Sequence, residues 1–135
     1  MQRSDVAGVW SLAAFDDADP GGERSEGPLG PDPRGLLIYS DDGHMSVSLM
    51  RTAASTRRPT TPVPLDFMGY AGTWRLAGAR MIHRVTVTHT PALKDRDQIR
   101  ELHLADGLLS LTGTVVFEGR DVGRVLEWRR AGEGR

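Results

Sequence analysis

A chain of 135 residues with a net charge of -1 is long enough to bury a core as one domain, and its charges of both signs are interspersed rather than blocked. Of the 17 Lys and Arg residues only Lys94 is a lysine, and no basic block carries interleaved aromatics, so nucleic acid is not an expected partner. The absence of cysteine excludes disulfides, thiol catalysis, iron–sulfur clusters and zinc–thiolate sites.

Met1 to Val9 lacks the apolar stretch of a signal peptide, and no apolar run approaches the ~20 residues of a membrane span. A cytoplasmic protein without membrane contact is therefore expected. Frequent Gly and Pro leave short segments that alternate apolar and polar residues, which is the period of a strand. In chain order these are Val9 to Phe15, Leu36 to Ser40, His44 to Met50, Gly72 to Leu76, Met81 to Thr88, Gln98 to Leu104, Leu108 to Thr112 and Arg124 to Trp128. Tight turns at Asp42-Gly43, Gly78-Ala79 and Asp106-Gly107 join several of them. Eight short consecutive strands predict an all-β, eight-stranded antiparallel up-and-down barrel, whose interior has room for side chains or one small ligand. A β-sandwich shares the pattern. Asp16 to Arg34 is rich in Gly, Pro and charge and is expected to be a loop. Arg51 to Met68, rich in Pro and Thr, reads as a second loop: either a cover for the barrel mouth or a surface excursion.

Strand parity then selects the inward side chains. Trp10, Leu12 and Ala14 form the better core face of the first strand. Val85 and Val87 carry His83 and His89 inward with them, and Leu102 and Leu104 carry Gln98 and Arg100. For the Asp42-Gly43 hairpin, a two-residue turn sets Tyr39 opposite Ser46 and Leu37 opposite Ser48. The more apolar face (Leu36, Ile38, Met45, Val47, Leu49) is then expected inside, with Tyr39 and Ser46 inside only if they line a polar pocket.

Several stretches carry a family resemblance: Gly8-Val9-Trp10, the block from Gly30-Pro31-Asp32-Pro33-Arg34-Gly35 through Tyr39 to Leu49-Met50-Arg51, Tyr70-Ala71-Gly72-Thr73-Trp74, and the closing Leu126-Glu127-Trp128-Arg129. The chain resembles the bacterial and fungal lipocalin-like domain family over nearly its whole length. It departs from that pattern in the short Pro-rich segment after Arg51, and in reading His83-Arg84 where relatives often have two adjacent histidines. The resemblance implies a small barrel that acts as a cofactor-free cyclase or isomerase of polyketide-like and terpenoid intermediates in secondary metabolism, or as a carrier.

The residues themselves suggest His83 as acid/base and Arg100 as anchor for an enolate or carboxylate. The plainer alternatives are a core histidine bonded to Gln98 or a backbone carbonyl, and an arginine paired with Glu101 or Glu127 at a barrel end. Tyr39, Ser46, Trp74, His89 and Gln98 are candidate ligand contacts, with His89 expected at the rim and Trp74 better suited to the core than to the pocket. Trp10 and Arg129 or Arg130 suit a structural cation–π pair at the closed end. His83 and His89, six residues apart, stand about 20 Å apart on a strand and cannot share a metal. No cofactor or metal is expected, the partner is an apolar small molecule, and a homodimer is left open.

Overall fold

The computed structural model describes residues 1–53 and 66–132. Nine strands are joined in one antiparallel sheet: β1 Gly8–Ala18, β2 Arg24–Glu26, β3 Arg34–Tyr39, β4 His44–Met50, β5 Phe67–Ala77, β6 Arg80–Val87, β7 Asp97–Ala105, β8 Leu108–Phe117 and β9 Arg120–Arg130. The order is β2-β1-β3-β4-β5-β6-β7-β8-β9, and an added β1–β9 pairing closes it. The result is an eight-stranded up-and-down barrel with one extra strand, the closure expected from the alternating pattern, and not the β-sandwich that shares that pattern. Among the described residues closure leaves no long unpaired edge.

The segment expected as a loop from Asp16 to Arg34 is more structured than its composition indicated. β1 runs on to Ala18, and β2 pairs with its last three residues, Asp16 to Ala18. Leu29, just beyond β2, is wholly buried. Gly27 lies so close to β1 that a Cβ there would sit 2.4 Å from the Phe15 carbonyl oxygen. Of the second expected loop, residues 54–65 lie outside the described residues. Its last two residues, Phe67 and Met68, belong to β5, which starts earlier than Gly72.

Irregular residues reset the parity of two strands. In β1 the register against β9 shifts between Leu12 and Ala14. Trp10 is buried before that bulge, and Phe15 and Asp17 are buried after it. In β6 the extra residue is Thr86, since Ala71 pairs with Val87 but Gly72 pairs with Val85. Met81, His83 and Val85 therefore face inward as expected, while Val87 turns out, 66% exposed, against expectation. Gly72 permits this bulge, because a Cβ there would meet the Arg84 carbonyl oxygen at 1.8 Å.

The β3–β4 hairpin corrects the other inference from pattern. Its turn has three residues, Asp41 to Gly43, with Gly43 at φ +96° and Ser40 N–H bonded to the His44 carbonyl at 2.8 Å. Leu37 thus pairs with Val47 and Tyr39 with Met45, one residue away from the expected register. Leu37, Tyr39, Met45, Val47 and Leu49 are buried, while Leu36 and Ile38 are exposed on the outside.

One end of the barrel is plugged. The short helix α1, Arg3–Val6, supplies the buried Val6. Trp10 donates its indole N–H to the Val6 carbonyl at 2.9 Å. The Arg130 guanidinium lies 4.1 Å from the Trp10 ring centroid and donates to the Ala7 and Asp5 carbonyls. Arg3 covers Trp74 in the same way at 4.3 Å.

Candidate functional site

Above that plug the barrel holds a cavity of about 380 Å³, within the size range of small-molecule sites. Its walls are largely apolar, with Phe15, Leu37, Val47, Leu111 and Trp128 among them. The exposed Phe67 and His89 line its mouth.

A chain of three polar side chains crosses from the core to this cavity. Tyr39 of β3 is 1% exposed and is not part of the cavity wall. Its hydroxyl stands 2.6 Å from His83 Nε2. The other ring nitrogen, Nδ1, stands 2.6 Å from the hydroxyl of Tyr70, which lines the cavity. The rings support one another, with centroids 5.5 Å apart for Tyr39–His83 and 5.7 Å for Tyr70–His83. Burial, and then the charge of Arg100, push the His83 pKa down to about 3, so the imidazole is neutral at physiological pH. Burial pushes Tyr70 up to about 12 and Tyr39 well above its ordinary value.

A neutral imidazole has one N–H to give, so the direction of the chain follows from donor accounting. His83 is the sole hydrogen-bond partner of the Tyr39 hydroxyl among the described residues. If Tyr39 accepted from Nε2–H, its own O–H would be stranded in the core at a cost of about 1–3 kcal/mol. Tyr39 therefore donates to Nε2, and His83 Nδ1–H donates to the Tyr70 oxygen. The Tyr70 proton is left free to point into the cavity, on an oxygen already polarised by an incoming hydrogen bond.

Arg100 of β7 is the second polar feature. Its guanidinium donates to the Gln98 Oε1 at 3.2 Å and the Ile99 carbonyl at 2.9 Å. Among the described residues no carboxylate pairs with it, and Glu101 instead pairs with Arg80 at 2.9 Å and Glu127 with Arg24 at 2.6 Å. Gly113 of β8 makes room for it, because a Cβ there would stand 2.8 Å from Arg100 Cδ and 3.2 Å from its Cζ. Arg124, on the cavity wall, forms a buried ion pair with Asp17 at 3.2 Å. Trp128 is 1% exposed and also lines the cavity, and its indole N–H has no hydrogen-bond partner among the described residues.

The expected candidates separate accordingly. His83, Gln98 and Arg100 come together on the cavity wall, and His89 stands at the rim. Tyr39 reaches the cavity only through His83. Trp74 is core: it packs on Tyr39 with centroids 4.9 Å apart and gives its N–H to the Ser40 carbonyl at 2.9 Å. Ser46 is exposed on the outer face, because it alternates with the buried Met45 and Val47, and it cannot touch a ligand in the barrel. Reading a loop through Met68 and starting the strand at Gly72 hid Tyr70. Its spacing of two and four from Gly72 and Trp74 is the signal that places all three on one face. The stretch of His/Asp/Glu geometry needed for a metal is absent among the described residues.

No curated protein and no solved structure gives a significant match to the chain. A family model, described as a lipocalin-like domain, matches residues 7–131. With that match spanning both closing strands and every residue of the cavity wall named above, the chain belongs to the lipocalin-like domain family.

Proposed function

We propose that this barrel is a cofactor-independent cyclase or isomerase for an apolar, oxygen-bearing small molecule of the polyketide or terpenoid kind, working in the cytoplasm. The observation that carries this reading is the Tyr39–His83–Tyr70 chain, which ends in a donor aimed into an apolar cavity beside Arg100. Such donors stabilise an oxygen that gains negative charge as a carbonyl, enone or epoxide reacts.

The chain also limits the chemistry. Complete transfer of the Tyr70 proton would pull protons along the relay and leave a phenolate in a place where burial disfavours it. Tyr70 therefore acts by hydrogen bonding, and His83 is a positioning residue rather than the acid/base that its sequence position suggests. Donors without a strong base suit ring closure, in which a hydroxyl or enol of the substrate itself attacks the activated carbon. The nucleophile's proton then ends on the activated oxygen, and the product keeps the substrate's mass.

A carrier is the second reading. It is favoured by one observation: the cavity walls are largely apolar, with Phe15, Leu37, Val47, Leu111 and Trp128 among them. Incubating the purified protein with candidate polyketide-like and terpenoid compounds, followed by mass-resolved chromatography, separates the two. Catalysis gives altered retention at unchanged mass, or the loss of one water, and Tyr70→Phe slows it roughly 100-fold. Compounds that raise the melting temperature and emerge unaltered sink the catalytic reading and leave the carrier.

A further inference from the structure

The cavity is unbalanced in charge. Among the described residues that line it there is no Asp or Glu. Arg124 has Asp17 as its counter-charge behind the wall. Arg100, half-buried, has only the neutral oxygens of Gln98 and Ile99. A guanidinium set among apolar walls without a carboxylate is costly, and neutral acceptors satisfy its donors without cancelling its charge. Gly113 keeps the side chain laid across β8, where any larger residue would dislodge it. Trp128 adds a second unmet demand, an indole N–H buried at the cavity wall with nothing to receive it. The wall thus offers a ligand one buried free donor, at Trp128, and one uncancelled positive charge, at Arg100.

We infer that the ligand is an apolar monocarboxylic acid whose carboxylate supplies the missing counter-charge to Arg100. This rests on the cavity being the ligand site, as proposed above, and names the class of molecule that enters it. At about 30 Å³ per water-sized group the space holds roughly a dozen non-hydrogen atoms. With the carboxylate on Arg100, a further oxygen of the same molecule is the partner of Tyr70, which assigns the reacting carbonyl and the anchoring acid to separate ends of the substrate. A carboxylate fits the guanidinium fork with two parallel hydrogen bonds, which an ester or alcohol cannot match.

Decanoate, methyl decanoate and decanol are probes of matching size that differ in charge. Their binding to the full chain is measured by calorimetry and by intrinsic tryptophan fluorescence, below micelle-forming concentrations. Decanoate is expected to bind at least tenfold more tightly than either neutral probe. Arg100→Gln, checked for folding by thermal melting, is expected to erase that preference, and Trp128→Phe to weaken decanoate by about threefold to tenfold. Equal affinity for the three probes, or an acid preference that survives in Arg100→Gln, overturns the inference and leaves the cavity as a site for neutral ligands. Failure of all three to bind overturns it together with the cavity reading. The three-probe comparison needs no variant, so it decides even where Arg100→Gln does not fold.

Discussion

The two ends of the barrel interior use arginine in opposite ways. At the plugged end Arg130 lies on the Trp10 ring and gives its N–H groups to the Ala7 and Asp5 carbonyls. In the cavity Arg100 lies over no aromatic ring among the described residues and meets two neutral oxygens. The first guanidinium completes a structure, whereas the second leaves a charge for something else to complete. Residue type alone therefore does not mark a site; the degree to which the fold already satisfies the residue does.

Substitution at the plug has the largest expected effect. Trp10→Ala removes a side chain that is 1% exposed, together with the ring beneath Arg130, and should cost about 3–5 kcal/mol in a denaturant titration. A loss below about 1 kcal/mol would mean that the plug is not what holds the barrel shut.

Acid comes next, and it acts on the cavity rather than the plug. Folded His83 takes no proton until about pH 3, whereas the unfolded chain takes one near 6.5. Between those values the unfolded state binds the extra proton, so stability falls as pH falls, by about 3 kcal/mol from neutrality to pH 4.5. His83→Gln should flatten that slope in melts run from pH 7 to 4.5. A slope identical to that of the parent protein would show that His83 is not buried in its neutral form.

The smallest effect gives the sharpest contrast between the arginines. Arg130→Gln should destabilise the free protein by about 1–2 kcal/mol, through the lost ring contact and two carbonyl partners. Arg100→Gln should change it by less than about 0.5 kcal/mol or stabilise it, because removing an uncompensated cation relieves the fold. Equal losses in both would erase the distinction between a structural and a functional guanidinium.

The sequence made the barrel legible wherever alternation was strict. In β6 and β7 the valine and leucine faces brought His83, Gln98 and Arg100 inward without help from the fold. It failed where a single residue decides parity. In the β3–β4 hairpin the pattern placed Met45, Val47 and Leu49 inside and Ser46 outside correctly, but both faces of β3 carry aliphatic side chains, and a turn one residue longer brought Leu37 and Tyr39 inside in place of Leu36 and Ile38. Thr86 likewise turned Val87 out. The relay was invisible for a related reason. Its three members come from β3, β5 and β6, and the strand that bears Tyr70 begins in a segment whose composition reads as loop.

The β1–β9 pairing bears on how the molecule acquires its cavity. Neighbours such as β3 and β4, or β8 and β9, are joined by short turns and can zip early at little loop entropy, whereas Trp10 must find Arg130 across nearly the whole chain. That seam is the most entropically expensive contact in the barrel and belongs late in folding. Before it forms, β1 and β9 are bare edges and the Tyr39–His83–Tyr70 chain sits on an open, water-washed sheet. The pocket therefore exists only once that seam has closed, so whatever weakens the β1–β9 pairing costs the cavity as well as the fold.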